Sequence, residues 1–233
     1  MERRDFLRAC AAACASAGMP AASAQALSPR HYQRALLVAA DGDPLQASRL
    51  KEETNYLFPY PYTGTPCFLL RLARPAAASQ PLRTADDRSY TWPGGVGPHH
   101  AVVAYSAICA HKLAYPTRDI SFISYRPQPT IHGKTARVIH CCAEHSQYDP
   151  ARGARVVAGP ATQPLAAVLL EYEAASDRLY AVGTLGGELF NDFFEKYAFR
   201  LAMEYGARRA NQPVGSRTVV VELADYCRQQ VRC

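Results

Sequence analysis

Two short signatures constrain this chain more than anything else in it: Cys109-Ala110-His111 and, further along, Cys142-Ala143-Glu144-His145. Cysteines that only form disulfides need no histidine at a fixed offset, yet here one follows two residues after Cys109 and another three residues after Cys142. Each pair ends a β-like run. Residues 100–109 alternate and are rich in Val, Ala and Tyr, and the run from Ala136 closes on Cys141-Cys142. Strands that end this way carry thiolate and imidazole donors to loop tips, where they can converge on a metal.

The segment after the second pair is also β-like. Turn residues Asp149-Pro150 and Gly153 precede a short strand over residues 155–158, and a Gly159-Pro160-Ala161 turn comes next. Residues 166–183 read as two strands joined by a polar turn at 174–177, a hairpin. The expected fold class is therefore mainly β, a meander of short antiparallel strands. Beyond it, Leu189, Phe193, Tyr197 and Leu201 recur at steps of four with Phe190 and Phe194 alongside, the stripe of an amphipathic helix expected to pack on the domain's own sheet. Residues 217–227 read as a strand able to return to the main sheet, and residues 74–81 as an exposed loop.

The first residues read as an export signal: Arg3-Arg4 precede a weakly apolar, Ala-rich run that ends in small residues at Ala24-Gln25-Ala26, with cleavage expected after Ala26. Residues 3–8 resemble the twin-arginine motif, with Glu2 where Ser or Thr is usual. A membrane span needs about 20 mostly apolar residues, and this run is short and broken by Ser, Gly and Pro, so no stable span is expected after cleavage. The expected location is periplasmic. Twin-arginine export carries folded proteins, often with a cofactor already inserted, which favours a metal centre. Without Cys10 and Cys14, six cysteines remain (Cys67, Cys109, Cys141, Cys142, Cys227 and Cys233), in a compartment where disulfides persist.

With 233 residues, 48% of them hydrophobic, the chain suits one domain with a sizeable core. Its net charge of +6 comes from scattered residues, with no basic stripe interleaved with aromatics, so nucleic acid is not an expected partner.

Cys-x-His, then Cys-x-x-His, each at a strand tip and followed by a Gly-Pro-Ala turn, resembles the Rieske [2Fe-2S] fold. The resemblance implies that Cys109 and Cys142 hold the inner iron and His111 and His145 the outer one. Ser146 and Tyr148 resemble the hydroxyl residues that hydrogen-bond the cluster sulfurs, and Gly159-Pro160 the loop that covers it. Within the family the chain is most similar to the small subunit of arsenite oxidase, through the twin-arginine motif and Gly94-Gly95-Val96-Gly97-Pro98 before the first ligand strand. That likeness implies an electron-transfer subunit without substrate chemistry of its own. It would take electrons from a large molybdopterin subunit and pass them to a c-type cytochrome or similar acceptor. The expected organisation is a signal over residues 1–26, a Rieske domain over 27–187 with an insertion at about 114–136, and a helix-and-strand extension over 188–233.

Three departures from the family stand out. The interval between His111 and Cys142 is about twice the usual one, which suggests an insertion near the cluster. The cysteines that bridge the two ligand loops in cytochrome bc1 complexes are replaced by Ala114 and Glu144, and a carboxylate at 144 implies a potential below the bc1 range. Finally, Tyr148-Asp149 follow His145 one residue early. Counting back from them makes Cys141 the ligand and puts Glu144 where histidine belongs; Cys142 with His145 keeps the Cys-x-x-His spacing and an imidazole, and is the assignment preferred here.

Other readings of the same residues are a structural zinc site, a cluster-free Rieske-fold binding subunit, a quinol-oxidising bc1-type subunit and a Cys/His nucleophile pair. His31, His99, His100, His132 and His140 have surface or hydrogen-bonding roles in this reading, Trp92 and Tyr60-Pro61-Tyr62 pack, and Cys67 is a buried thiol. Cys227 and Cys233 are candidates to bridge each other or Cys67.

Overall fold

The computed structural model describes residues 26–233; the twin-arginine motif, Cys10 and Cys14 lie outside the described residues. The fold is mainly β, as the alternation of residue types predicts. Its larger sheet has eight strands: β1 (Arg30–Val38), β2 (Tyr56–Pro59), β3 (Pro66–Arg71), β6 (Val102–Ser106), β12 (Ala167–Glu173), β13 (Arg178–Leu185), β14 (Arg217–Val219) and β15 (Val221–Glu222). They lie in the order β14-β1-β13-β12-β6-β3-β2-β15. The two edges, β14 and β15, are separated in the chain by Val220 alone, so the sheet has to roll up until its edges meet. Across that seam Thr218 Oγ1 donates to Pro59 O at 2.8 Å.

Cys67, Leu69, Val102 and Ala104 go into one core, while their neighbours Phe68, Leu70, Val103 and Tyr105 go into a second. Both faces of β3 and β6 are thus buried, which is why "CFLL" is a continuous apolar run rather than an alternating one. Cys67 is a buried free thiol, and Trp92 packs in the second core with its ring 6.1 Å from that of Tyr105.

The second core joins the rolled sheet to a four-stranded sheet of β8 (Ile123–Arg126), β9 (Val138–Cys141), β10 (Ser146–Asp149) and β11 (Arg155–Ala158), in the order β11-β10-β9-β8. Tyr105 Oη donates to Pro150 O at 2.7 Å across the junction. Two pairs of short strands complete the β structure: β4 (Gln80–Arg83) with β5 (Ser89–Trp92), and β7 (Ile120–Ser121) with β16 (Gln229–Gln230). Strand β8 falls within the segment expected as an insertion, so part of it is a structural edge of the smaller sheet.

The C-terminal region differs from the sequence expectation in two respects. The amphipathic stripe forms two helices, α1 (Phe190–Lys196) and α2 (Ala198–Tyr205), broken at Tyr197. They pack not on the sheet but on residues 108–115, because the Tyr115 ring sits edge-on to Phe193 and Tyr197, at 4.8 Å from each. Residues 217–227 do return to the main sheet, but as β14 and β15 at its two edges, followed by the short helix α3 (Leu223–Tyr226). Among the described residues, no helix is long and apolar enough to cross a membrane.

Candidate metal centre

The first loop leaves the end of β6 and turns at Cys109, whose N–H donates to Ala114 O (2.8 Å) while Leu113 N–H donates to Cys109 O (3.0 Å). The second loop is the turn of the β9–β10 hairpin, where Cys141 pairs with Ser146 and residues 142–145 make the reversal. Cys109 and Cys141, both buried, meet between the loops with their thiols hydrogen-bonded to each other. Each sulfur also accepts backbone N–H groups from the residues two and three positions on, His111 and Lys112 for Cys109, Ala143 and Glu144 for Cys141. The two loops therefore build the same knuckle around a sulfur.

Tyr148, fully buried on β10, sets its hydroxyl 3.3 Å from Cys109 Sγ and accepts Ala110 N–H at 3.1 Å. The Cys109 thiol is held down to about 6 by the hydrogen bond from Cys141, which outweighs its own burial, with further help from Tyr148 and the two N–H groups. Cys141 is pushed up by yielding that hydrogen bond and by burial, and Tyr148 chiefly by burial. One sulfur of the pair is thus favoured as a thiolate at the expense of the other.

Cys142, expected as an iron ligand, is instead bonded to Cys233, with Cα atoms 5.6 Å apart. Consecutive residues at a strand end point to opposite faces, so Cys141 faces Cys109 and Cys142 cannot. Nor is Cys141 the spare thiol. His145, expected as the outer-iron ligand, adopts a left-handed backbone (φ 60°), and its ring lies beside those of His132 and His140, with centroids 4.9 and 5.8 Å away. His140 is fully buried, is held neutral by burial that lowers it to about 4, and has Nδ1 3.2 Å from Thr130 Oγ1.

Ser146 is buried on the same face of the hairpin as Cys141 and Tyr148, as alternation requires. Gly159 has φ 85°, and a Cβ there would stand 2.5 Å from both His145 O and Ser146 Cα, so only glycine lets the Gly159-Pro160 turn close over the second loop. Among the buried polar atoms without a partner are His111 Nδ1 and Ser146 Oγ, beside the two sulfurs in sequence, and the Tyr115 hydroxyl further along the first loop. The two thiols cradled by N–H groups and the imidazole nitrogen are donors of the kind that hold an iron–sulfur cluster, and the hydroxyl can hydrogen-bond a cluster sulfur. The residues present fit such a group.

No protein-family model matches the chain. Among curated proteins it is 29% identical over 189 residues to the iodate reductase subunit IdrB of Denitromonas iodatirespirans, covering 80% of this chain and 82% of that one. Among solved structures it is similar to the soluble domain of the Rieske protein II (soxF) from Sulfolobus acidocaldarius. That match has 28% identity and a TM-score of 0.46, over 66% of this chain and 78% of the other.

Sequence reasoning missed the bond from Cys142 to Cys233. The tail that carries it runs beside β7 as β16, and Val231 N–H donates to Ser121 O at 2.9 Å. Cys227, the other candidate for a bridge, is a buried free thiol. The one available signal was that Cys141 and Cys142 are adjacent at a strand end, where only one of them can face the other loop.

Proposed function

We propose that this chain holds a Rieske [2Fe-2S] cluster between its two loops and serves as the electron-transfer subunit of a larger oxidoreductase. The observation that carries the proposal is the Cys109–Cys141 pair, each sulfur in a matching backbone cradle. When bound, the cluster supplies one-electron chemistry at a potential raised by imidazole ligation. Cys109 and Cys141 would hold the inner iron. His111 would present its unpartnered nitrogen to the outer iron, with one more donor coming from the 142–145 turn.

The remaining residues set the environment of those donors. Tyr148 and Ser146 offer hydroxyl groups to sulfur and so favour the electron-rich, reduced state. Gly159-Pro160 closes over the second loop, while α1 and α2 hold the first; Lys196 Nζ donates to Lys112 O at 2.7 Å. The curated relative is a subunit of an iodate reductase, which supports a partner larger than this chain. In this reading the partner is a redox subunit, a molybdopterin protein if the likeness to arsenite oxidase extends to it, and the acceptor is a c-type cytochrome or a similar periplasmic protein. The twin-arginine motif supports export to the periplasm. Visible absorption and iron analysis of the purified protein test this: a His-ligated [2Fe-2S] spectrum is expected, and a colourless protein with zinc or no metal would overturn it.

A further inference from the structure

We infer that the fourth iron ligand is the carboxylate of Glu144 rather than the imidazole of His145, so that the cluster is held by two thiolates, one imidazole and one carboxylate. This rests on the Rieske reading and deepens it.

The strand register carries the argument. In β9 successive side chains point to opposite faces. Cys141 faces Cys109, so His140 faces away from it, and the His145 ring lies against His140 and His132. Cys233, bonded to Cys142, is on that side too: its sulfur is 3.5 Å from His140 Nε2. Three neighbours therefore place His145 on the face of the hairpin opposite the thiol pair. Its left-handed backbone belongs to the reversal, and its carbonyl lies under Gly159.

Glu144 turns the other way. Its N–H donates to Cys141 Sγ, and its carboxylate reaches across to the first loop, where Oε1 lies 3.8 Å from Lys112 Nζ. Lys112 is the residue after His111 and itself cradles Cys109 through its N–H. Glu144 thus stands three residues after the facing cysteine and reaches the residue next to His111, whose Nδ1 is buried without a partner. A carboxylate is a competent donor to ferric iron, and it makes the site one charge more negative than an imidazole would, which lowers the potential; Lys112 offsets part of that charge.

The test is pulsed EPR of the reduced full-length protein, counting directly bound histidine nitrogens, with Glu144→His, Glu144→Gln and His145→Ala alongside. One bound nitrogen is expected in the unaltered protein. His145→Ala should leave it in place, and Glu144→His should add a second nitrogen and raise the midpoint potential. Glu144→Gln should lose iron or shift the signal while its thermal melting stays close to that of the unaltered chain, since the side chain is exposed. Two nitrogens, one of them lost in His145→Ala, would overturn this ligand assignment and leave the Rieske reading standing. An unchanged spectrum in Glu144→Gln would also overturn the assignment. Absence of iron from the unaltered protein would overturn the Rieske reading itself, and the assignment with it.

Discussion

The two cysteine loops build the same sulfur knuckle and are held in opposite ways. The first, around Cys109, rests on packing: Ile108 and Tyr115 are buried against Phe190, Phe193 and Leu201, and Lys196 fastens the Lys112 carbonyl. The second, around Cys141, has an exposed turn at Ala143, Glu144 and His145, and is held by the hairpin ladder, by Cys142 N–H to Phe122 O at 2.6 Å and by the Cys142–Cys233 bond. One loop is fixed by burying aromatic area and the other by a covalent tie to the chain's end. Two equivalent knuckles thus depend on different physical terms, and each can be disturbed without touching the other.

The largest effect on that contrast is expected from Phe193→Ala. Removing a fully buried ring from the packed side costs about 3–5 kcal/mol, read as a lower denaturant midpoint and faster amide exchange over residues 109–114, while residues 142–145 stay unchanged. Cys233→Ser should act on the other loop. Opening a bond that spans 91 residues of sequence costs about 2–4 kcal/mol, and exchange should now rise at residues 142–145. Dithiol reductant should reproduce this in the unaltered protein and add nothing to Cys233→Ser. If both variants loosened both loops equally, the separation between packing and tether would be lost.

The smallest effect is expected from Tyr148→Phe, which removes the hydroxyl 3.3 Å from Cys109 Sγ and nothing else. A hydrogen bond worth about 1 kcal/mol net corresponds to about 40 mV for a one-electron couple. The potential should fall by that order, because a sulfur with one donor fewer favours the oxidised state. A potential unchanged within a few millivolts would mean that the hydroxyl does not act on the cluster.

Much of this was legible in the residues. Alternation located the strands that deliver both loops, the strand at residues 155–158 and the hairpin after it. Cys109, His111, Ser146, Tyr148 and Gly159 all lie in or against the two loops. The error was one residue of register. Spacing and the preference for an imidazole favoured Cys142 with His145, but the pleat of β9 decides which of two adjacent cysteines can face Cys109, and motif spacing does not encode the pleat. The rolled sheet was less legible still, because pairing β14 with β1 and β15 with β2 joins residues far apart in sequence. The helical stripe was misplaced for a similar reason: its Phe193 and Tyr197 rings pack on Tyr115, a residue of the first loop far away in sequence.

The central claim is that Cys109 and Cys141 are the paired sulfurs of a [2Fe-2S] site, with Cys142 reserved for the tether. Iron content and the EPR spectrum of the reduced protein, compared between Cys141→Ser and Cys142→Ser, test it most directly. The account predicts about two iron atoms per chain and a [2Fe-2S] signal in the unaltered protein, both kept in Cys142→Ser and both lost in Cys141→Ser. The reverse pattern, or an unaltered protein without iron, would contradict it.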